Sequence, residues 1–274
     1  MPEGVIEFEL SAAPTPAREL VRGLWRARTL LAILARKDFF VRYRRASLGL
    51  AWAIILPLVQ AAVLAVVLSR FVKFHTPVNY TVFVYSGTLA WNYFSSTLIA
   101  GAGSIVDGQE LSTKVYFPRS IFPLVPVASG LYGLGLSVVV MLVLALAVGA
   151  GIGLRVLLLL PAVAATVLLT AGASLVLGVV QVYFRDMRYI VQAALMAWFY
   201  VTPVFYPLNA VGRLRRLVAV NPASGMVELY RAGTVGADHG WAGAVIWTVA
   251  WSVVFFLAAV ALYRGHDRVC TDLL

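Results

Sequence analysis

The stretch Gln181–Pro207 reads QVYFRDMRYIVQAALMAWFYVTPVFYP. A charged turn, Arg185-Asp186-Met187-Arg188, opens it, and a long run without charge follows. The run predicts a helix over 189–208, the roughly 20 residues that a bilayer core requires at about 1.5 Å rise each. Its aromatics, its Gln192 and its prolines exceed what a plain membrane anchor needs. The rest of the chain is read as what surrounds this segment and what pushes on it.

Of the 274 residues, 61% are hydrophobic and 12% are charged. Soluble domains are roughly 45–50% apolar and about 25% charged, so the sequence specifies an all-α polytopic membrane protein. The single cysteine, Cys270, excludes an internal disulfide framework. His75, His239 and His266 lie far apart without ligand spacing, so no metal site is expected. The net charge of +10 suits an anionic inner leaflet. With most of the chain lipid-compatible, no nucleic-acid partner is expected.

Outward from the opening stretch, six transmembrane helices are predicted at about 48–68, 80–100, 124–150, 156–182, 189–208 and 241–263, within a domain spanning 47–263. Residues 1–15 read as a mobile tail and 264–274 as a short basic one. Thr15-Pro16 gives a helix start, a capping residue followed by proline in the first turn. Leu20, Leu24, Ala27, Leu31 and Leu34 then recur at steps of three and four among arginines. Residues 16–46 thus form a basic amphipathic helix, either in the headgroup plane or packed on a cytosolic partner. Fifteen of the 22 Lys and Arg fall on the side of the termini, which places both termini in the cytosol.

The loop 209–240 holds two apolar-rich pieces, Leu214–Val220 and Ala223–Tyr230, split by Asn221-Pro222. Each is too short to span, and proline disfavours helical geometry at Asn221. Two short re-entrant outer half-helices fit these lengths, and so does a surface loop packed on the bundle.

None of the six predicted cores contains Asp, Glu, Lys, Arg or His, the groups that proton- and ion-coupled carriers use as relays. Lys37, Lys73 and Lys114 stand in no nucleotide-binding Gly-Lys frame. Uphill transport would therefore need a second polypeptide. Trp91, Tyr93, Trp198 and Tyr200 lie deep in their spans, with Gln192 nearby, and form a candidate substrate path. Aromatic faces and neutral hydrogen-bonding groups suit sugar rings. The same residues also serve as interhelical glue and core filling. A membrane glycosyl- or acyltransferase would need a carboxylate or His beside its substrate. Asp38, Asp107, Glu110, Asp186, Glu228 and Asp238 divide between the two faces. An ion channel would need rings of charge or carbonyls, and none is apparent.

Four stretches in order carry a family resemblance. They are Asp38-Phe39-Phe40-Val41-Arg42-Tyr43-Arg44-Arg45-Ala46-Ser47-Leu48-Gly49 with Trp52 and Pro57; Lys114-Val115-Tyr116-Phe117-Pro118-Arg119 with Phe122-Pro123; Tyr183-Phe184-Arg185-Asp186-Met187-Arg188 with Thr202-Pro203-Val204-Phe205-Tyr206; and Asn221-Pro222 with Val227-Glu228-Leu229-Tyr230-Arg231. From about Arg18 to Arg268 the chain resembles the permease subunit of type-two ABC exporters of polysaccharides: O-antigen, capsule or teichoic acid. The resemblance implies a homodimer on two cytosolic ATP-binding subunits in the bacterial plasma (inner) membrane. ATP and Mg would be bound by that partner and no cofactor by this chain, which would not itself be an enzyme. It implies a gate helix carrying Arg36, Lys37, Phe40, Arg42, Tyr43, Arg44 and Arg45. A coupling loop over 103–123 would meet the ATPase, with Asp107, Glu110, Tyr116, Phe117 and Arg119 as its contacts; Ser104–Thr113 is predicted to form a short helix there. The cargo would be an undecaprenyl-linked glycan moved outward. A permease for drugs or small lipids is the alternative within the superfamily.

Overall fold

Runs of apolar residues free of charge become helices because a helix satisfies its backbone within one segment. The computed structural model describes residues 22–23, 25–44, 46–71, 79–108, 120–149, 153–236 and 241–266, and among these every regular element is helical. The helices are α1 Arg28–Tyr43, α2 Trp52–Phe71, α3 Tyr80–Asp107, α4 Ile121–Ala147, α5 Leu159–Tyr183, α6 Met187–Val201, α7 Arg215–Val220, α8 Pro222–Thr234 and α9 Trp241–His266. Short 3-10 turns, Gly49–Ala51 and Leu154–Leu158, lead into α2 and α5.

Among the described residues, four stretches are long and apolar enough to cross a membrane: Gly49–Leu68, Ile121–Ala147, Leu154–Tyr183 and Trp241–Tyr263. They correspond to the first, third, fourth and sixth predicted spans. The second differs for a physical reason. Helix α3 is 28 residues long, and it is buried from Val82 to Trp91 and at half of the positions beyond. A helix surrounded by protein need not be lipid-compatible, so it carries Ser86, Thr88, Asn92 and Thr97 without penalty.

Helix α3 is the axis of the fold. Helices α4, α5 and α2 pack along it, α8 fills the space between α3, α5 and α9, and α1 lies on α4. The Tyr80 end of α3 is called the upper end here, and the Asp107 end the lower.

Several predicted boundaries are corrected. Helix α3 runs to Asp107 rather than Ala100, because Gly101 packs on Ser174 and so does not interrupt it. The short helix expected over Ser104–Thr113 therefore begins as the last turn of α3, ending at Gly108. Helix α4 begins at Ile121, three residues before the predicted third span, with Pro123 in its first turn, where a missing N–H costs nothing.

The largest correction falls on the opening stretch. Helix α6 stops at Val201 after 15 residues, about 22 Å at ~1.5 Å rise, and not at Leu208. Thr202 turns to extended geometry (φ −84°, ψ 137°) because Pro203 disfavours the helical region for the residue before it. The chain then crosses α3 at Gly87. A Cβ there would lie 2.4 Å from the Val204 carbonyl oxygen, so only glycine permits the approach.

In the outer loop the chain forms the two short helices α7 and α8. Of the two alternatives, the surface loop does not describe α8, which is buried from Ala223 to Thr234. The break at Asn221 is present (φ −58°, ψ 124°), and its side chain caps α8 by accepting from the Ala223 N–H. Within the predicted tails and coupling loop, residues 1–21, 109–119 and 267–274 lie outside the described residues.

Candidate functional site

Two open-sided hollows lie against α3. One, of about 490 Å³, is bounded by Phe39, Arg42 and Tyr43 of α1, Trp52 and Pro57 of α2, Tyr93 and Ser96 of α3, and Gly133 of α4. The other, of about 590 Å³, is bounded by Val63 and Leu64 of α2, Trp91 of α3, and Gln192, Leu195, Met196, Phe199 and Tyr200 of α6. Both share Gln60, Asn92, Ser95 and Ile99, so they are two bays of one groove. Each volume falls in the range of ligand-sized sites, roughly 300–1,000 Å³.

The partition between the bays is an amide pair. Asn92 Nδ2 donates to Gln60 Oε1 at 2.9 Å, tying α2 to α3. Ser95 and the half-exposed Ser96 continue the polar line one turn further. Apart from Arg42 at the α1 side, the groove offers neutral amides and hydroxyls set among aromatic rings. That suits a neutral polyhydroxylated chain better than an ion.

The predicted path residues divide. Trp91, Gln192 and Tyr200 border the second bay, and Tyr93 borders the first while its hydroxyl donates to Val127 O at 2.9 Å. Trp198 does not border either bay. Its Nε1 donates to Asn221 Oδ1 at 2.8 Å, and its ring meets Trp91 and Phe94 edge-on at 6.3 and 5.6 Å. It joins α6 to the break between α7 and α8.

Helix α1 docks on α4 through buried Ala35 and Phe39, the latter 5.1 Å from the Tyr132 ring. Asp38 Oδ2 accepts from Ser129 Oγ at 2.5 Å and from Arg42 at 3.1 Å. Of the predicted gate residues, Arg36, Lys37, Phe40, Arg42 and Arg44 are exposed and Tyr43 half-buried, while Arg45 lies outside the described residues. Lys37, Phe40, Tyr43 and Arg44 edge a third hollow with Gly49 and Leu50. Of the predicted coupling residues only Asp107 is described; Glu110, Tyr116, Phe117 and Arg119 are not. Asp107 pairs with Arg188 at the start of α6.

The upper end contains what sequence reasoning missed. Arg231 and Glu228 form an ion pair at 2.7 Å, each side chain 1% exposed. The Arg231 guanidinium also donates to Val204 O at 2.7 Å, approaches Tyr206 O at 3.5 Å and sits 3.7 Å over the Phe83 ring. Tyr80 donates to Phe205 O at 2.6 Å. The carbonyls released where α6 breaks are thus satisfied by side chains, as irregular backbone inside an apolar protein requires. A second set secures the same end. Asn221 Nδ2 donates to Thr202 Oγ1, Thr248 Oγ1 to Pro222 O, and Trp251 Nε1 to Val220 O. The signal was available in principle, since Glu228 and Arg231 stand three apart, an ion-pair spacing on a helix.

Known proteins resemble this chain over most of its length. Residues 29–235 match the ABC-2 type transporter family. An O-antigen export system permease protein RfbA of Myxococcus xanthus is 31% identical over 252 residues, covering 90% of this chain and 96% of the relative. Two proteins of the same name from Klebsiella pneumoniae are each 28% identical, covering 77% of this chain and 83% of the relative.

Proposed function

The chain belongs to the ABC-2 type transporter family, and from that premise we propose that it is the permease subunit of an exporter of lipid-linked polysaccharide. It is a multi-pass membrane protein and a transport subunit, not an enzyme; it partners with ATP-binding subunits that carry out ATP hydrolysis. The observation that carries the cargo class is the groove, where aromatic rings flank the Gln60–Asn92 pair. A sugar polymer stacks its C–H faces on such rings and exchanges hydroxyl hydrogen bonds with the amides.

The finer architecture is part of the same proposal. Six spans arise when α3, and α6 with its extended continuation, join the four long apolar stretches. Helices α7 and α8 are the outer half-helices, enclosed by protein. The termini face the cytosol of a bacterial inner membrane. Two copies of the chain assemble on two ATP-binding subunits that hold ATP and Mg. The groove is open-sided in one chain, which supports closure by a second copy. The cargo is an undecaprenyl-linked glycan of the O-antigen, capsule or teichoic-acid type.

The test replaces Gln60 and Asn92 together by Leu, keeping size and removing polarity. Surface polysaccharide should fall by roughly tenfold, equivalent to about 1.4 kcal/mol, while assembly with the ATP-binding subunit is unchanged. Normal export from that variant would sink the cargo reading.

A further inference from the structure

Helix α6 is held in an unusual way. Only Val191 and Leu195, four residues apart on one stripe, are buried. Its packing is chiefly against α3, with little against α5. Its two ends, by contrast, are clasped. At the lower end Arg188 pairs with Asp107, the last residue of α3. The guanidinium lies directly over Gly103, where any Cβ would meet it. Near the upper end Trp198 and Thr202 both bond to Asn221, the hinge between α7 and α8. From Arg188 to Trp198 is about 15 Å along the helix at ~1.5 Å per residue. Between the clasps, Gln192, Leu195, Met196, Phe199 and Tyr200 form one wall of the second bay.

A helix seated on one narrow stripe and fastened at both ends rocks as a unit when one end is displaced. We infer that α6 is a strut joining the lower end of α3 to the Asn221 break, and that Arg188 is the positioning residue that makes α6 follow α3. Displacement of Asp107 pulls Arg188, tilts α6, shifts the wall of the second bay and loads Asn221 through Trp198. A surface ion pair contributes little to stability, about 0–1 kcal/mol, so Arg188 sets where the lower end of α6 sits more than it stabilises the fold. The Gly103 gap adds a steric seat for the guanidinium that a solvated arginine would not need. The inference rests on the reading of this chain as a permease driven by a partner, and it concerns how that drive reaches the groove.

The experiment places a spin label at Ala197, exposed on α6 and outside the bay wall, through Ala197→Cys in a Cys270→Ser background. The permease in complex with its ATP-binding subunit is held in lipid nanodiscs, and spectra are compared with and without ATP. The unaltered complex should show an ATP-dependent change in label mobility. Arg188→Gln should abolish it, and so should Gly103→Ala, which displaces the guanidinium without altering charge. The exchange Asp107→Arg with Arg188→Asp should restore it. Polysaccharide exported per ATP hydrolysed should fall about tenfold in Arg188→Gln, within the ~5–150-fold span of ordinary site coupling, and recover in the exchange. Persistence of the change in Arg188→Gln, or no recovery in the exchange, overturns the inference. Absence of any change in the unaltered complex overturns it too, and leaves the cargo reading, tested at Gln60 and Asn92, standing.

Discussion

Arg231 shows how one side chain permits a break in a helix. Two of its nitrogens reach Glu228 and the carbonyls of Val204 and Tyr206, while its flat face rests on Phe83. Removing it takes the cation from beside the buried Glu228 carboxylate and a donor from the buried Val204 carbonyl. Arg231→Ala should therefore lower stability by about 3–5 kcal/mol, read as a drop in the thermal denaturation midpoint of the purified protein. Glu228→Gln combined with Arg231→Met should cost less, since neither charge is left alone. Asn221 makes three bonds, to Trp198, Thr202 and the Ala223 N–H. Asn221→Ala loses all three, and the cap alone is worth ~1 kcal/mol; the same denaturation measurement should show at least that loss.

Among elements, α1 packs chiefly on α4 and α6 chiefly on α3. Helix α1 meets α4 through Ala35, Phe39 and the Asp38–Ser129 bond. Asp38→Ala should loosen that seat, and trypsin should then cut after Arg36 or Lys37 several-fold faster in detergent while the bundle stays intact. The long helices were legible in the sequence because apolar length is a local property: α2, α4, α5 and α9 all lie where uncharged runs do. The end of α6 was not. Residues 202–206 stay apolar, so composition runs through the break, and the groups that stabilise it, Tyr80 and Arg231, lie far away in the chain. The burial of α8 was hidden for a related reason, because its Glu228 and Arg231 look like loop charges until they are seen to cancel. Of the groove, the aromatics were legible by depth. The Gln60–Asn92 pair was not, because its members stand 32 residues apart and meet only through packing.

At the scale of the whole molecule, much apolar surface faces outward. Within their apolar windows α2, α4 and α9 are only 11%, 22% and 17% buried. Lipid covers part of that surface, and in the proposed assembly a second copy of the chain covers part of the rest at the open groove. Native mass measurement of the complex should find two copies of this chain with two ATP-binding subunits; one copy competent in export would exclude that arrangement. The buried α8 has a further consequence, for how the chain is made. At 13 residues and with two ionised side chains, it is too short and too polar to partition into the bilayer as a segment of its own. Its enclosure depends on α9, which bonds to Pro222 and Val220 through Thr248 and Trp251. The nascent segment 215–236 should therefore wait until α9 has left the ribosome. Only then is it drawn into place with its charges already neutralised, so α9 completes the insertion of what precedes it.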